Sequence, residues 1–257
     1  MAKTALITGS TSGIGLATAK LFASKGYNIV FNGLEADGAT IAAEVAQAYG
    51  VDYLFSPANM LHAEEIRNLA SQALAKFGTV EVLINNAGIQ FVSPIEDFPE
   101  DKWDAIIAIN LTAAFHLTKA LLPSMKAHKF GRVINVSSAH GLIASPYKSA
   151  YVAAKHGIIG FTKVLALEGG TFGITANAIC PGYVHTPIVE KQIPDQMKAH
   201  NMSREEVINK VFLSEHAIKD FISVDTIAQT MLFLCDSEAA STITGIAMPL
   251  DAGWTAH

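Results

Sequence analysis

A chain of 257 residues, half of them hydrophobic and 16% charged, carries enough apolar material for a sizeable core and is too apolar to remain disordered. A net charge of −5 without a Lys/Arg cluster argues against a nucleic-acid partner. The two cysteines, Cys180 and Cys235, lack C-x-x-C spacing, which argues against a disulfide framework or a zinc site and fits a reducing compartment.

The first strand is expected at Thr4-Ala5-Leu6-Ile7 and leaves no room for a signal peptide before it. No run of about eighteen apolar residues is present, so no membrane span is expected and the default reading is soluble and cytoplasmic. TGSTSGIG follows at residues 8–15, and a helix should run on through LATAKLFASKG to Gly26. Strand, glycine-rich turn and helix form the context of a dinucleotide fingerprint. Gly9 permits a tight turn, while Gly13 and Gly15 let backbone approach a pyrophosphate at the helix N-terminus. The spacing is G-x-x-x-G-x-G.

A second strand is expected at residues 28–32, ending at Gly33. The usual acid at this strand end is absent, but Ser10, Thr11, Ser12, Asn32 and Leu34 also offer no cation for a 2′-phosphate, and Glu35 and Asp37 would repel one. That favours NAD over NADP. Helix (39–49), strand (53–55), helix (63–77) and strand (82–84) continue the alternation. Asn59 could touch an adenine or serve only as a turn residue. Asn86, Ala87 and Gly88, in the turn after the fourth strand, are small enough for close approach of a cofactor.

One long helical pattern covers about 99–125, interrupted by Asn110. A buried amide needs partners, so Asn110 is either a satisfied core asparagine or a residue whose amide or carbonyl holds a water near an active lysine. A fifth strand at 132–136 leads into SAHGLIASPYKSAYVAAK, residues 138–155. Tyr151 and Lys155 are four apart on an Ala-rich helix and share one face. An ammonium beside a phenol favours the phenolate, so the pair can act as base or acid on an alcohol or carbonyl. Ser138, at a strand's carboxyl end, could hydrogen-bond the reacting oxygen. A Tyr-x-x-x-Lys alone occurs by chance on many helices; its context gives it weight. The sixth strand is expected at 174–179, a helix at 224–234 and a last strand at 244–249. Residues 183–222 read as an inserted lid over substrate. The expected whole is one α/β domain, residues 1–257, and the scattered histidines His62, His116 and His156 suggest no metal.

Together TGSTSGIG, NNAG at 85–88, Asn110, Ser138, YVAAK at 151–155 and PGYVHTP at 181–187 resemble the short-chain dehydrogenase/reductase family across the whole chain. The resemblance implies a doubly wound Rossmann sheet of seven parallel strands, usually in a homotetramer joined through the long helices. It implies Tyr151 as acid/base, Lys155 on the nicotinamide ribose lowering the tyrosine pKa, Ser138 orienting the substrate oxygen and Asn110 supporting a relay water. Cofactor contacts would come from Gly9, Thr11, Ser12, Gly13, Ile14, Gly15, Asn59, Asn86, Ala87, Gly88, Pro181, Gly182, Val184 and Thr186.

Within the family the pattern is similar to the branch that oxidises D-3-hydroxybutyrate to acetoacetate with NAD. There Gln90, His140, Lys148 and Gln192 would surround the substrate carboxylate, with Tyr183 lining the pocket. The branch usually carries tryptophan and arginine where Tyr183 and His185 stand, and Ser145-Pro146-Tyr147 is also unusual. The alternatives are a reductase of 3-oxoacyl thioesters or another carbonyl, and a non-catalytic dinucleotide sensor on the same fold.

Overall fold

The apolar tetrad at residues 4–7 forms β1 (Thr4–Ile7), with all four side chains buried. The structure, a computed structural model, describes residues 2–256, apart from the side chains of Pro187, Ile188, Lys191, Gln192, Asp195, Ala199 and His200. β1 pairs in parallel with β2 (Asn28–Asn32) on one side and β4 (Val82–Asn85) on the other. β3 (Tyr53–Ser56), β5 (Gly131–Val136), β6 (Ile174–Pro181) and β7 (Ala247–Leu250) complete a seven-stranded sheet of order β3-β2-β1-β4-β5-β6-β7. This is the doubly wound α/β arrangement expected from the alternating pattern.

Parallel strands this apolar must be covered on both faces. Successive side chains leave a strand on opposite sides. Accordingly Ile7 joins one buried cluster with Phe22, Phe31 and Met231, while Leu6 joins another with Leu69, Leu83 and Leu121. The first cluster is covered by α1 (Gly13–Ser24), α2 (Gly38–Tyr49) and α9 (Val224–Asp236). The second is covered by α3 (Ala63–Phe77), α5 (Ala113–His128) and α6 (Ser149–Gly169). Strand order reverses between β1 and β4, which opens a crevice at their carboxyl ends.

Two boundaries differ from the sequence expectation. The helix expected over 99–125 runs from Glu100 to His128 in three pieces: α4 (Glu100–Ile107), a π-helical turn (Ala108–Thr112) and α5. By length and composition this run could cross a membrane, with a mean hydropathy of 1.6 in its most apolar window. Here α5 instead lays Leu117, Leu121 and Met125 on the sheet. The last strand begins at Ala247 rather than Thr244. The Thr244 hydroxyl accepts the Ala176 N–H at 3.0 Å and Gly245 turns with φ +76°, so the chain joins the ladder only afterwards.

Residues 183–222 hold α7 (Pro187–His200), α8 (Arg204–Val207) and a second π-helical turn (Ile208–Phe212). They carry a small core of their own, Val189, Ile193, Val207, Phe212 and Leu213, with Tyr183 and Phe221 packed at its edge. A bridge between Val184 and Ile222 brings the two ends of the segment together.

Candidate active site

The glycine turn between β1 and α1 is held by its neighbours. Gly9 has φ +61°, a conformation costly for other residues. A Cβ on Gly15 would collide with the Gly9 carbonyl, so only glycine allows α1 to start this close to the turn. Ser12 stands at the N-cap of α1 but its side chain caps nothing, and the first turn contains no acidic residue. The free N–H groups at that helix start are open to an anion. The Ser12 hydroxyl donates instead to the Glu35 carboxylate at 3.0 Å, and Thr11 donates to its other oxygen. Burial alone would raise the Glu35 carboxyl, but these bonds and backbone N–H groups outweigh it and hold the pKa below the usual range. A carboxylate therefore does stand at this turn, three residues beyond β2.

Asn32 is the second fixture. Its Nδ2 donates to the Ser56 and Ala58 carbonyls at 3.1 and 2.9 Å, and its Oδ1 accepts the Gly9 N–H at 3.3 Å. On the other side the Thr8 hydroxyl accepts the N–H groups of Asn86 and Ala87, both at 2.9 Å, and Asn86 Nδ2 returns to the Thr8 carbonyl at 2.8 Å. Thr186 reaches the same place from α7, since a Cβ on Gly13 would lie 3.8 Å from its Cγ2. Thr186 also caps α7 through Val189 N. Ile14 packs into the core below the turn, while Pro181 ends β6 and Val184 is buried. Asn59 shapes the turn after β3, where its Oδ1 accepts the Leu61 N–H at 3.0 Å.

The π-helical turn faces Gly88. Asn110 is buried, and its amide is tied to the Ile89 backbone: Oδ1 accepts Ile89 N–H at 2.8 Å and Nδ2 donates to Ile89 O at 2.9 Å. Its main-chain carbonyl and the second N–H and lone pair of the amide are the groups left for a water. Such π-turns recur at functional sites. A Cβ on Gly88 would lie 3.3 Å from Asn110 Oδ1 and 3.6 Å from Lys155 Nζ, so the NNAG turn, Asn110 and Lys155 converge.

Lys155 is 4% exposed and donates to the Val136 carbonyl at 2.7 Å. Burial brings its ammonium down to about 8. The nitrogen lies 5.5 Å from the Tyr151 ring centroid. Ser138 is buried, hydrogen-bonds the Tyr151 side chain and accepts the His140 N–H at 3.1 Å. Desolvation pushes the Tyr151 pKa up, the Ser138 hydrogen bond offsets part of this, and Tyr183 adds to the rise.

On the far side of Tyr151 lie His140 and Lys148. The His140 ring is 6.1 Å from that of Tyr151, and its Nε2 is 2.9 Å from the Ser145 hydroxyl. Burial, then Lys148 and His156, push its pKa down to about 4. His140 is thus neutral and supplies no positive charge. Burial also lowers Lys148, whose Nζ lies 6.0 Å from the Tyr183 ring centroid. Gln90 is exposed on the loop after β4, and that loop is tied to the Lys148 loop by Ser93 N–H donating to Tyr147 O at 2.9 Å. Gln192 lies on α7 with its side chain outside the described residues. His185 faces outward and pairs with Glu190 at 2.8 Å, which also accepts Arg204.

The profile of the short chain dehydrogenase family matches residues 3–197. The chain belongs to that family. It is 51% identical over 259 residues to the D-beta-hydroxybutyrate dehydrogenase of Rhizobium meliloti, covering 100% of both chains. To the protein of the same name from Cupriavidus necator it is 50% identical, over 99% of this chain and 98% of the other. To a 3-oxoacyl-[acyl-carrier-protein] reductase of Synechocystis it is 35% identical, over 98% and 96%.

Several residues of this short chain dehydrogenase site escaped the sequence reading. Thr8 entered only as the first residue of TGSTSGIG, and Asn32 only as a strand end without a cation. Trp254, near the end of the chain, stacks on Tyr183 with centroids 5.4 Å apart and meets His140 edge-on at 5.1 Å. His216 accepts the Tyr183 N–H at 3.3 Å. Both lie far along the chain from the residues they touch, and periodicity could not have found them.

Proposed function

We propose that the protein catalyses reversible, NAD-dependent oxidation of D-3-hydroxybutyrate to acetoacetate. The observation that carries the reading is the pairing of Tyr151 and Ser138 with a half-buried Lys148 on one side of the same pocket. Half-identity over the full chain to two proteins named D-beta-hydroxybutyrate dehydrogenase supports it. A reacting hydroxyl needs the first pair, and a carboxylate two carbons away needs the lysine.

Gly9, Thr11, Ser12, Gly13, Ile14 and Gly15 would hold the dinucleotide at the start of α1, with Asn86, Ala87, Gly88, Pro181, Gly182, Val184 and Thr186 around its nicotinamide half. The bound dinucleotide supplies the hydride acceptor for C3. Glu35 occupies the turn where a 2′-phosphate would otherwise lie, and two like charges there repel. This favours NAD and weighs against a 3-oxoacyl thioester reductase working with NADPH. Retention of Tyr151 and Lys155 weighs against a sensor without chemistry.

Ser138 holds the substrate oxygen against the Tyr151 hydroxyl. Tyr151 carries its proton in the resting protein, so it enters as the acid on the acetoacetate ketone. In oxidation it must first release that proton, and the rate of that direction should rise with pH. Lys155 binds the ribose and, on the same helix face, favours the phenolate. The Asn110 carbonyl holds the water that carries the proton away. Lys148 neutralises the carboxylate, His140 and the amides of Gln90 and Gln192 add donors, and residues 183–222 close over the pocket. The protein assembles as a homotetramer through α5 and α6, whose outward faces carry the exposed Phe115, Val164 and Leu167.

Tyr151→Phe tests the chemistry. The variant should bind NADH with unchanged affinity and lose at least about a thousandfold in kcat. A near-normal kcat would sink the assignment.

A further inference from the structure

Among the described residues, the anion side of the pocket offers a single cation, Lys148. A carboxylate accepts up to about four hydrogen bonds, and a buried one needs most of them satisfied. His140 is neutral and its Nε2 is already engaged by Ser145. Gln90 is exposed, which leaves Lys148 as the one described group of full charge on this wall.

Beside Lys148 stands the Tyr183 side chain. The Tyr183 ring is clamped by the Trp254 stack, by Phe212 edge-on at 5.4 Å and by His216 at 6.0 Å. Its backbone is fixed by the His216 acceptor. Within that clamp its hydroxyl makes no hydrogen bond to any described residue, and desolvation alone raises its pKa. That hydroxyl is not among the sealed, unpartnered polar atoms of the described residues, so it is open to an acceptor on a ligand at this wall. The Lys148 ammonium, 6.0 Å from the ring centroid, marks where an anion would sit next to it.

We infer that Tyr183 is a further specificity-determining residue, whose hydroxyl donates to the substrate carboxylate alongside Lys148. The inference rests on the proposed oxidation of a 3-hydroxy acid. Trp254 and His216 act as positioning residues, since they hold the ring and backbone of Tyr183 without facing the anion themselves. Selection for an anionic substrate then comes from a cation and a phenol on one wall.

Tyr183→Phe removes the hydroxyl and keeps the ring stack. In the full chain, the KM for both D-3-hydroxybutyrate and acetoacetate should rise about tenfold, as expected for a hydrogen bond to a charged group. The kcat should stay within about twofold, and NADH affinity and the thermal midpoint should not move. An unchanged KM would overturn the inference and leave the proposed reaction standing. A fall in kcat at constant KM would also overturn it, by assigning Tyr183 to the reacting oxygen rather than the anion. Absence of turnover of either acid by the unsubstituted protein would overturn the proposed function and this inference together.

Discussion

Acid should destabilise this protein through His140 in a way that one substitution can isolate. The imidazole falls from an ordinary 6.5 to about 4 on folding, because burial removes it from water and Lys148 and His156 repel its charge. Between those values the unfolded chain binds more protons than the folded one, so stability falls as pH falls. The contribution is fully present above the unfolded value and lost towards the folded one. Going from about pH 7 to about pH 5, linkage with these two values gives a loss of ~2 kcal/mol, a large fraction of the stability of an ordinary domain. Urea unfolding followed by circular dichroism across this range measures it. His140→Gln can still hydrogen-bond Ser145 but has nothing to protonate, so its stability should decline less by about the same amount. Carboxylates held low elsewhere, such as Asp52 and Asp236, titrate in both proteins and cancel. Parallel pH curves for the two proteins would refute the assignment of His140 as a neutral buried group.

Other substitutions probe the remaining walls of the site. Lys148→Ala should raise the KM for 3-hydroxybutyrate by about a hundredfold with a smaller effect on kcat, since a lost charged partner is felt in binding; steady-state kinetics decides it. Glu35→Arg removes the carboxylate held by Thr11 and Ser12 and supplies a cation. It should shift the ratio of kcat/KM for NAD over NADP by about a hundredfold towards NADP. Gly15→Ala drives a methyl into the Gly9 carbonyl and should abolish NADH binding measured by fluorescence, while α1 and the sheet keep their circular dichroism.

Much of the fold was legible because its strands are short apolar runs in strict alternation with helices. Thr4–Ile7, Asn28–Asn32 and Val82–Asn85 end at glycine- or asparagine-rich turns, which mark the carboxyl edge. The helix around Asn110 was read as continuous because a π-turn leaves the apolar pattern almost undisturbed; only the extra residue betrays it, and no periodicity rule counts that. The spacing of Tyr151 and Lys155 places them on one face, but the state of the phenol depends on its burial, which is a tertiary property. The resemblance places His140 beside the anion, but only its burial among Trp254, Tyr151 and Ser145 shows that it is neutral. Glu35 was taken as a mere repellent, and its fold-back onto Thr11 and Ser12 is a tertiary contact across 23 and 24 residues that local sequence does not encode.

The central claim is the reaction. It is tested most directly by following NADH absorbance with D- and L-3-hydroxybutyrate, each offered with NAD and with NADP. Turnover confined to the D form, with NAD favoured, is the predicted result. No turnover of the D form with NAD, or equal use of the two enantiomers, would contradict the account.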